Sequence, residues 1–150
     1  HDGPETDLAE FEGKMDVVFV DAPCTGTGTW RRRPDAKWRV SEKALNQRIQ
    51  EQDEVLDTAA KYVKPGGRLI YVTCSILPEE NSDRVEAFLA RDRAFTQRDA
   101  LDDLVRSGGL TDGAEEKLAA CRLPGGALQL SPHRSATDGF FIAVMERKVS

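Results

Sequence analysis

The chain of 150 residues has no apolar run approaching the ~20 residues that a membrane-spanning helix needs. Nor does it carry the charged, apolar and small-residue succession of a secretory signal. It opens His1-Asp2-Gly3 without an initiator methionine, which predicts a processed, trimmed or excised piece. Cysteine is scarce: Cys24, Cys74 and Cys121 stand 50 and 47 positions apart. Such spacing fits neither a disulfide framework nor a zinc site, and only His1 and His133 could add imidazole ligands. A reducing, cytoplasmic compartment, with thiols free for chemistry and no bound metal, is the simplest expectation. Basic residues are also short, 21 against 26 acidic ones, for a formal net charge of −5. Taken whole, that balance argues against a nucleic-acid partner, whose phosphates attract cations. Leu, Ile, Val and Phe make up about 23% of the chain, just above the level at which disorder is the default. A core is possible but modest, and the length suits one domain.

What is present has an α/β order. Residues 1–14 are polar and turn-rich. Met15 to Val20 is a continuous apolar, β-branched run ended by Asp21-Ala22-Pro23, which predicts a strand buried on both faces. From Ser41, a plausible N-cap, Leu45, Ile49, Leu56, Ala60 and Val63 share a helical stripe that Lys64-Pro65-Gly66-Gly67 should stop. Arg68 to Thr73 is a second buried-strand candidate. Pro78 should open another helix, with Glu79 and Glu80 at its positive end and Val85, Phe88 and Leu89 on its apolar side. Phe95 to Gln97 reads as a short strand. The acidic stretch 99–116, in which only Arg106 offsets six carboxylates, reads as a solvated helix or loop. Ala127–Leu130 and Phe140–Glu146 read as strands ending the chain in an antiparallel element. Strand, helix, strand, helix, then strands predicts an α/β fold with a mostly parallel sheet.

In open α/β sheets, ligands bind at the carboxyl ends of the strands. Cys24 follows the first strand after Asp21-Ala22-Pro23, and Cys74 ends the second within Thr73-Cys74-Ser75. Parallel neighbours lie ~4.8 Å apart, so both thiols and the Asp21 carboxylate can share one small pocket. A free cysteine is ordinarily a small buried hydrophobe, and Cys121, on a predicted helix, is assigned to packing. Two cysteines at matching strand ends beside an acid point instead to chemistry. A helix N-terminus near Cys74 would favour its thiolate, while Glu79 and Glu80 would oppose it. The loop from Asp21 to Thr29 lacks the Gly-Lys-Ser/Thr ending and the following helix of a phosphate loop. Its glycines are expected to allow a tight turn or a close approach.

Trp30 to Arg39 holds five basic residues and one acid, +4 in ten positions, which leaves −9 for the rest. Arg31, Arg32, Arg33 and Lys37 are candidate contacts to phosphate, and a flanking Trp could stack on an unpaired base. For Trp30 and Trp38 the plainer role is anchoring this loop to the core.

Three segments, DAPCTGTGTWRRRPDAKWR, GGRLIYVTCSILPEEN and TDGFFIAVMERK, resemble successive motifs of the Sun (Fmu, RsmB-type) RNA cytosine-C5 methyltransferases. The likeness runs from about Met15 to the C-terminus and is weakest through 99–120. It implies a Rossmann-like domain using S-adenosyl-L-methionine as methyl donor and RNA, most simply ribosomal RNA, as substrate. Cytosine C5 is a poor nucleophile until a thiolate adds to C6. The resemblance assigns that attack to Cys74 and assigns proton removal and product release to Cys24. In the DNA counterparts, however, the Pro-Cys residue attacks. The same resemblance puts Asp21 between cofactor and cytosine, where a carboxyl near N3 would favour attack, with Pro23 also on the cofactor side.

The family's domain begins with a strand, a Gly-rich cofactor loop and an acidic residue, and none of these precedes Met15. The resemblance therefore implies the C-terminal half of a catalytic domain, without the cofactor's Gly-rich loop or an N-terminal RNA-binding region and inactive alone. The edge of the first strand should then be open. Two other classes stay in view: a non-catalytic RNA-binding fragment, and a Cys-dependent hydrolase with His133 as its base.

Overall fold

A computed structural model describes residues 8–149, so His1 and the first half of the polar start lie outside the described residues. After a 3-10 turn at Leu8–Phe11, the order is β1 (Met15–Asp21), α1 (Glu42–Ala60), β2 (Val63–Thr73), α2 (Ser82–Arg91) and β3 (Phe95–Arg98). Then follow α3 (Ala100–Ser107), α4 (Ala114–Ala119), β4 (Leu128–Leu130), the single turn α5 (Pro132–Ser135) and β5 (Phe140–Arg147). The sheet runs β1-β2-β5-β3, with β4 also against β5. Strands β1 and β2 pair in parallel, and β5 is antiparallel to β2, β3 and β4. Four strands thus share one direction, yet β5 inserts between β2 and the pair β3 and β4, so the sheet is mixed in its neighbours. Among the described residues, no helix is long and apolar enough to cross a membrane.

Local rules account for most elements. The Ser41 hydroxyl accepts the Ala44 N–H at 3.1 Å and starts α1, satisfying one of the free donors of the first turn. Gln52, Leu56, Ala59 and Ala60 form its buried side. Helices α1 and α2 cover one face of the sheet over Leu69, Tyr71, Phe88, Phe95, Phe141 and Met145. On the other face α3 and α4 pack over Leu128 and Val144, and Cys121 is buried there as packing.

Four expectations are corrected. First, β1 is not buried on both faces: Val20 is, but Val17 and Phe19 are 52% and 63% exposed. Among the described residues β1 is an edge strand, and a cavity separates Phe19 from α3 on that face. Second, Lys64-Pro65-Gly66-Gly67 does not separate helix from strand but lies inside β2. Met15 pairs with Val63 and Val17 with Arg68, so the proline and glycines form a bulge. At Gly67 a Cβ would stand 2.8 Å from the Met15 carbonyl. Third, Pro78–Glu80 is only a 3-10 turn, and α2 starts at Ser82 because the Glu80 and Asn81 side chains are turned inward and buried. Fourth, the acidic stretch is not simply solvated. Asp103 is buried beside Arg98 and Arg68, and Asp99 caps α3 while pairing with Arg122.

Candidate active site

The parallel strands β1 and β2 end side by side. Asp21 stands opposite Val72, and the Ala22 N–H donates to the Val72 carbonyl at 2.9 Å. Each chain then leaves its strand, and Cys24 and Cys74 meet with their sulfurs 3.4 Å apart. Both thiols are half-buried. The structure therefore brings together the two cysteines that the strand-end argument paired. Asp21 is exposed at the end of β1, and its charge disfavours the Cys74 thiolate. Pro23 is also exposed, with its carbonyl accepting from Gln52 Nε2 at 2.8 Å.

The two sulfurs share one proton unequally. The hydrogen bond from Cys24, helped by a backbone N–H, brings the Cys74 thiol down to about 7 against burial and the charges of Asp21 and Glu80. The same hydrogen bond, then burial and the Cys74 charge, push the Cys24 thiol far up. The two shifts run in opposite directions, favouring ionisation at Cys74 and protonation at Cys24. The neighbouring thiol supplies the largest part of the shift at Cys74.

The loop after β1 spends its N–H groups internally. The Thr25 N–H goes to Glu80, that of Gly28 to the Cys74 carbonyl at 2.9 Å, and that of Thr29 to the Gly26 carbonyl at 3.0 Å. A phosphate cradle would have to present them instead. Gly26 turns the chain at φ +72°, and Gly28 lies directly on the Gly139 peptide. A Cβ on Gly28 would fall 2.1 Å from the Gly139 carbonyl oxygen, while the Gly139 N–H donates to the Gly28 carbonyl at 2.8 Å. The Thr137-Asp138-Gly139 segment before β5 is thereby fastened to the cysteine loops.

Sequence reasoning placed Glu80 only as a charge opposing the Cys74 thiolate, which it does, and missed its buried bridging role together with Gln52, Asp138 and Arg48. Glu80 is fully buried and accepts from Thr25 of one cysteine loop and Ser75 of the other. Its neighbour Asn81 donates to the Ser75 carbonyl and to Gln129 Oε1, both at 2.9 Å. The available signal was polar residues at positions that helical spacing assigns to the inner side. A cavity of about 240 Å³ opens beside Cys24, lined by Thr25, Ala36, Val40, Ala44 and Arg48. A larger apolar cavity, about 360 Å³ between β1, β2 and α3, lies on the opposite face of the sheet, and no thiol lines it.

The basic loop is partly committed. Arg31 and Arg32 pair with the buried Asp138. Arg33 and Lys37 are exposed, and the Lys37 ammonium sits 4.7 Å over the Trp38 ring. Trp38 is 81% exposed, so it does not anchor the loop to the core, while Trp30 is half-buried. His133 lies on α5, and no hydrogen bond joins it to either thiol among the described residues. No cluster of His, Cys, Asp or Glu suited to a metal ion occurs among the described residues.

Comparison with known proteins decides the family. The model for the 16S rRNA methyltransferases RsmB/F matches residues 1–146. The chain belongs to the RsmB/F family. The chain is 40% identical over 130 residues to a ribosomal RNA small subunit methyltransferase B of Enterobacter sp. strain 638, covering 87% of this chain and 26% of that protein. The solved structure of PH0851 superposes with TM-score 0.73 at 37% identity, over 91% of this chain and 27% of that one. A methyltransferase homologue of Pyrococcus horikoshii gives TM-score 0.67 at 25% identity, over 93% and 41% respectively. The chain thus spans about a quarter of the length of the curated relatives it matches.

Proposed function

We propose that this chain carries the base-side chemistry of an RNA cytosine-C5 methyltransferase acting on ribosomal RNA. The observation that carries the reading is the thiol pair at the ends of two parallel strands, with one sulfur poised as thiolate and the other as thiol. The Cys74 thiolate adds to cytosine C6, and the electron pair displaced from the C5–C6 bond makes C5 nucleophilic. S-adenosyl-L-methionine, when bound, supplies an electrophilic methyl for C5. Covalent attachment of Cys74 removes the thiolate hydrogen bond and the charge that held the Cys24 proton, leaving burial as the remaining opposition to its ionisation. Cys24 gives its own proton to solvent and, as thiolate, takes the C5 proton. The electrons of the C5–H bond re-form the C5–C6 double bond as the C6–S bond breaks and Cys74 leaves as thiolate. Proton transfer by a placed side chain is worth roughly 10²–10⁴ in rate.

The residues of this chain fit one wall of the cofactor site. Asp21 is an exposed carboxylate at the end of β1, suited to a cationic donor, and the Pro23 ring is exposed beside it. The Gly-rich loop would come from elsewhere in the protein. We read the chain as the C-terminal portion of a single methyltransferase domain. Among the described residues the outer edge of β1 has no partner strand, and that edge and the exposed Val17 and Phe19 support that reading. Arg33 and Lys37 would meet RNA phosphates, with Arg31 and Arg32 held ready by Asp138 and Trp38 available to stack on a base.

The test is covalent trapping of the full-length protein on RNA containing 5-azacytidine. Trapping should vanish in Cys74→Ala and persist in Cys24→Ala, which should accumulate adduct with natural RNA because release is impaired. Trapping that survives in Cys74→Ala but vanishes in Cys24→Ala would reverse the assignment, and no trapping in the wild type would refute the covalent route.

A further inference from the structure

Glu80 lies within none of the chemistry assigned so far, yet every polar atom of its carboxylate is spoken for. It is fully buried. Oε1 accepts the Thr25 N–H at 2.8 Å and Gln52 Nε2 at 3.1 Å, and Oε2 accepts the Thr25 hydroxyl at 2.6 Å and the Ser75 hydroxyl. Four donors meet a group with about four acceptor sites. Thr25 directly follows Cys24, and Ser75 directly follows Cys74. Gln52 continues the frame, since the same Nε2 reaches the carbonyl of Pro23, the residue before Cys24. Its own Oε1 is left buried without a partner among the described residues. Turning the amide over would aim that oxygen at two other acceptors, so the frame is kept at the cost of an orphan. The Tyr71 hydroxyl fixes the other end by donating to the Glu80 carbonyl at 2.7 Å.

A buried carboxylate is costly and needs a full set of partners. It also opposes the Cys74 thiolate by its charge, so it does not serve to activate that sulfur. What it does is hold two loops from different strands at one separation. We infer that Glu80 is a positioning residue that ties the Cys24 loop to the Cys74 loop and thereby sets the distance between the two sulfurs. The inference rests on the thiol-pair reading for its catalytic consequence, but not for the geometry itself.

Two measurements on the full-length protein separate the two. The first is diamide oxidation, in which the Cys24 and Cys74 thiols together lose two protons and two electrons to the diazene and form a disulfide, located by peptide mass spectrometry. Sulfurs already in contact should react fast, and Glu80→Ala should slow this step at least tenfold by parting them. The second is adduct formation on 5-azacytidine RNA. Glu80→Ala should lose about a hundredfold in the rate at saturating RNA, as misplacement by an ångström does, with half-saturation by RNA changed less than about threefold. Glu80→Gln keeps the size and one acceptor oxygen and should recover part of both rates. Should Glu80→Ala fail to fold, Thr25→Val removes only the hydroxyl strut and should still slow disulfide formation severalfold. Glu80→Ala that oxidises at the wild-type rate overturns the inference, and so does a loss confined to RNA affinity. Wild-type protein that oxidises quickly but never traps RNA overturns the covalent reading and leaves the strut standing.

Discussion

Replacing Cys24 by Ala probes the shared proton directly. In the folded protein Cys74 is lowered from an ordinary 9.0 to about 7, chiefly by its hydrogen bond with Cys24. A lowered thiol pKa means that thiolate prevails above about pH 7 and is lost as pH falls through that value. At pH 7 about half of Cys74 is ionised, against about 1% for an unperturbed thiol, a gain of about fiftyfold in thiolate. Part of that gain is returned, because a less basic thiolate is a weaker nucleophile. With a Brønsted sensitivity of about 0.4–0.5, two units of pKa lower the intrinsic reactivity about six- to tenfold.

The net prediction is therefore a crossing of two profiles. In Cys24→Ala the largest stabilising hydrogen bond is gone while burial, the backbone hydrogen bond and the charges of Asp21 and Glu80 remain, so Cys74 moves back up toward its ordinary 9.0. Adduct formation on 5-azacytidine RNA at pH 7 should then be about five- to eightfold slower than wild type, because the thiolate loss outweighs the reactivity gain. Above about pH 8 the order should reverse, because the variant's thiolate is both plentiful and more reactive. The assay is the single-turnover rate of adduct formation between about pH 6 and 9.5 at saturating RNA. A wild-type rate still rising tenfold per unit beyond pH 8 would refute the lowered pKa. Superposable profiles for wild type and variant would refute the origin assigned to it.

Gly28→Ala should be severe, because its Cβ would lie 2.1 Å from the Gly139 oxygen and force two backbones apart. A loss of about a hundredfold in adduct formation is expected, with about 1–3 kcal/mol of stability by denaturant titration; a wild-type rate would refute the close packing of these loops. Arg33→Ala and Lys37→Ala should each reduce the slope of log affinity against log salt by about one and weaken RNA binding alike across sequences. Arg31→Ala should change the slope less, since Asp138 already offsets its charge; an equal change would show that Asp138 yields this arginine to phosphate. The isolated 150 residues should transfer no methyl group from S-adenosyl-L-methionine, and measurable turnover would refute the half-domain reading.

The parts of the site that were legible in sequence are those written in local signals. Met15–Val20 and Arg68–Thr73 are β-branched runs, punctuated by Asp-Ala-Pro and by Cys-Ser, and the parallel rule then carries both cysteines to one end. Where two local signals conflicted, the stronger-looking one misled. Lys64-Pro65-Gly66-Gly67 carries every mark of a helix stop, but a bulge between β1 and β2 needs the same residues, and only the partner strand distinguishes the two. The exposure of Val17 and Phe19 was not legible at all, because burial depends on what covers the sheet rather than on the strand.

Glu80 shows why a functional group can hide in a well-formed local pattern. Pro78-Glu79-Glu80 suits a helix start so well that the acids seem explained by the helix dipole alone. Yet the helix waits until Ser82, after Asn81 at φ −112° and ψ −101° interrupts it. A solvent-facing Glu80 would have let α2 begin at Pro78, four residues earlier. Instead both Glu80 and Asn81 turn inward, Glu80 to Thr25 and Ser75, and Asn81 to Thr73, Ser75 and Gln129. Local rules are expected to break where function requires it. The delayed start of α2 is such a break, and it places the only fully buried carboxylate among the described residues against both cysteine loops.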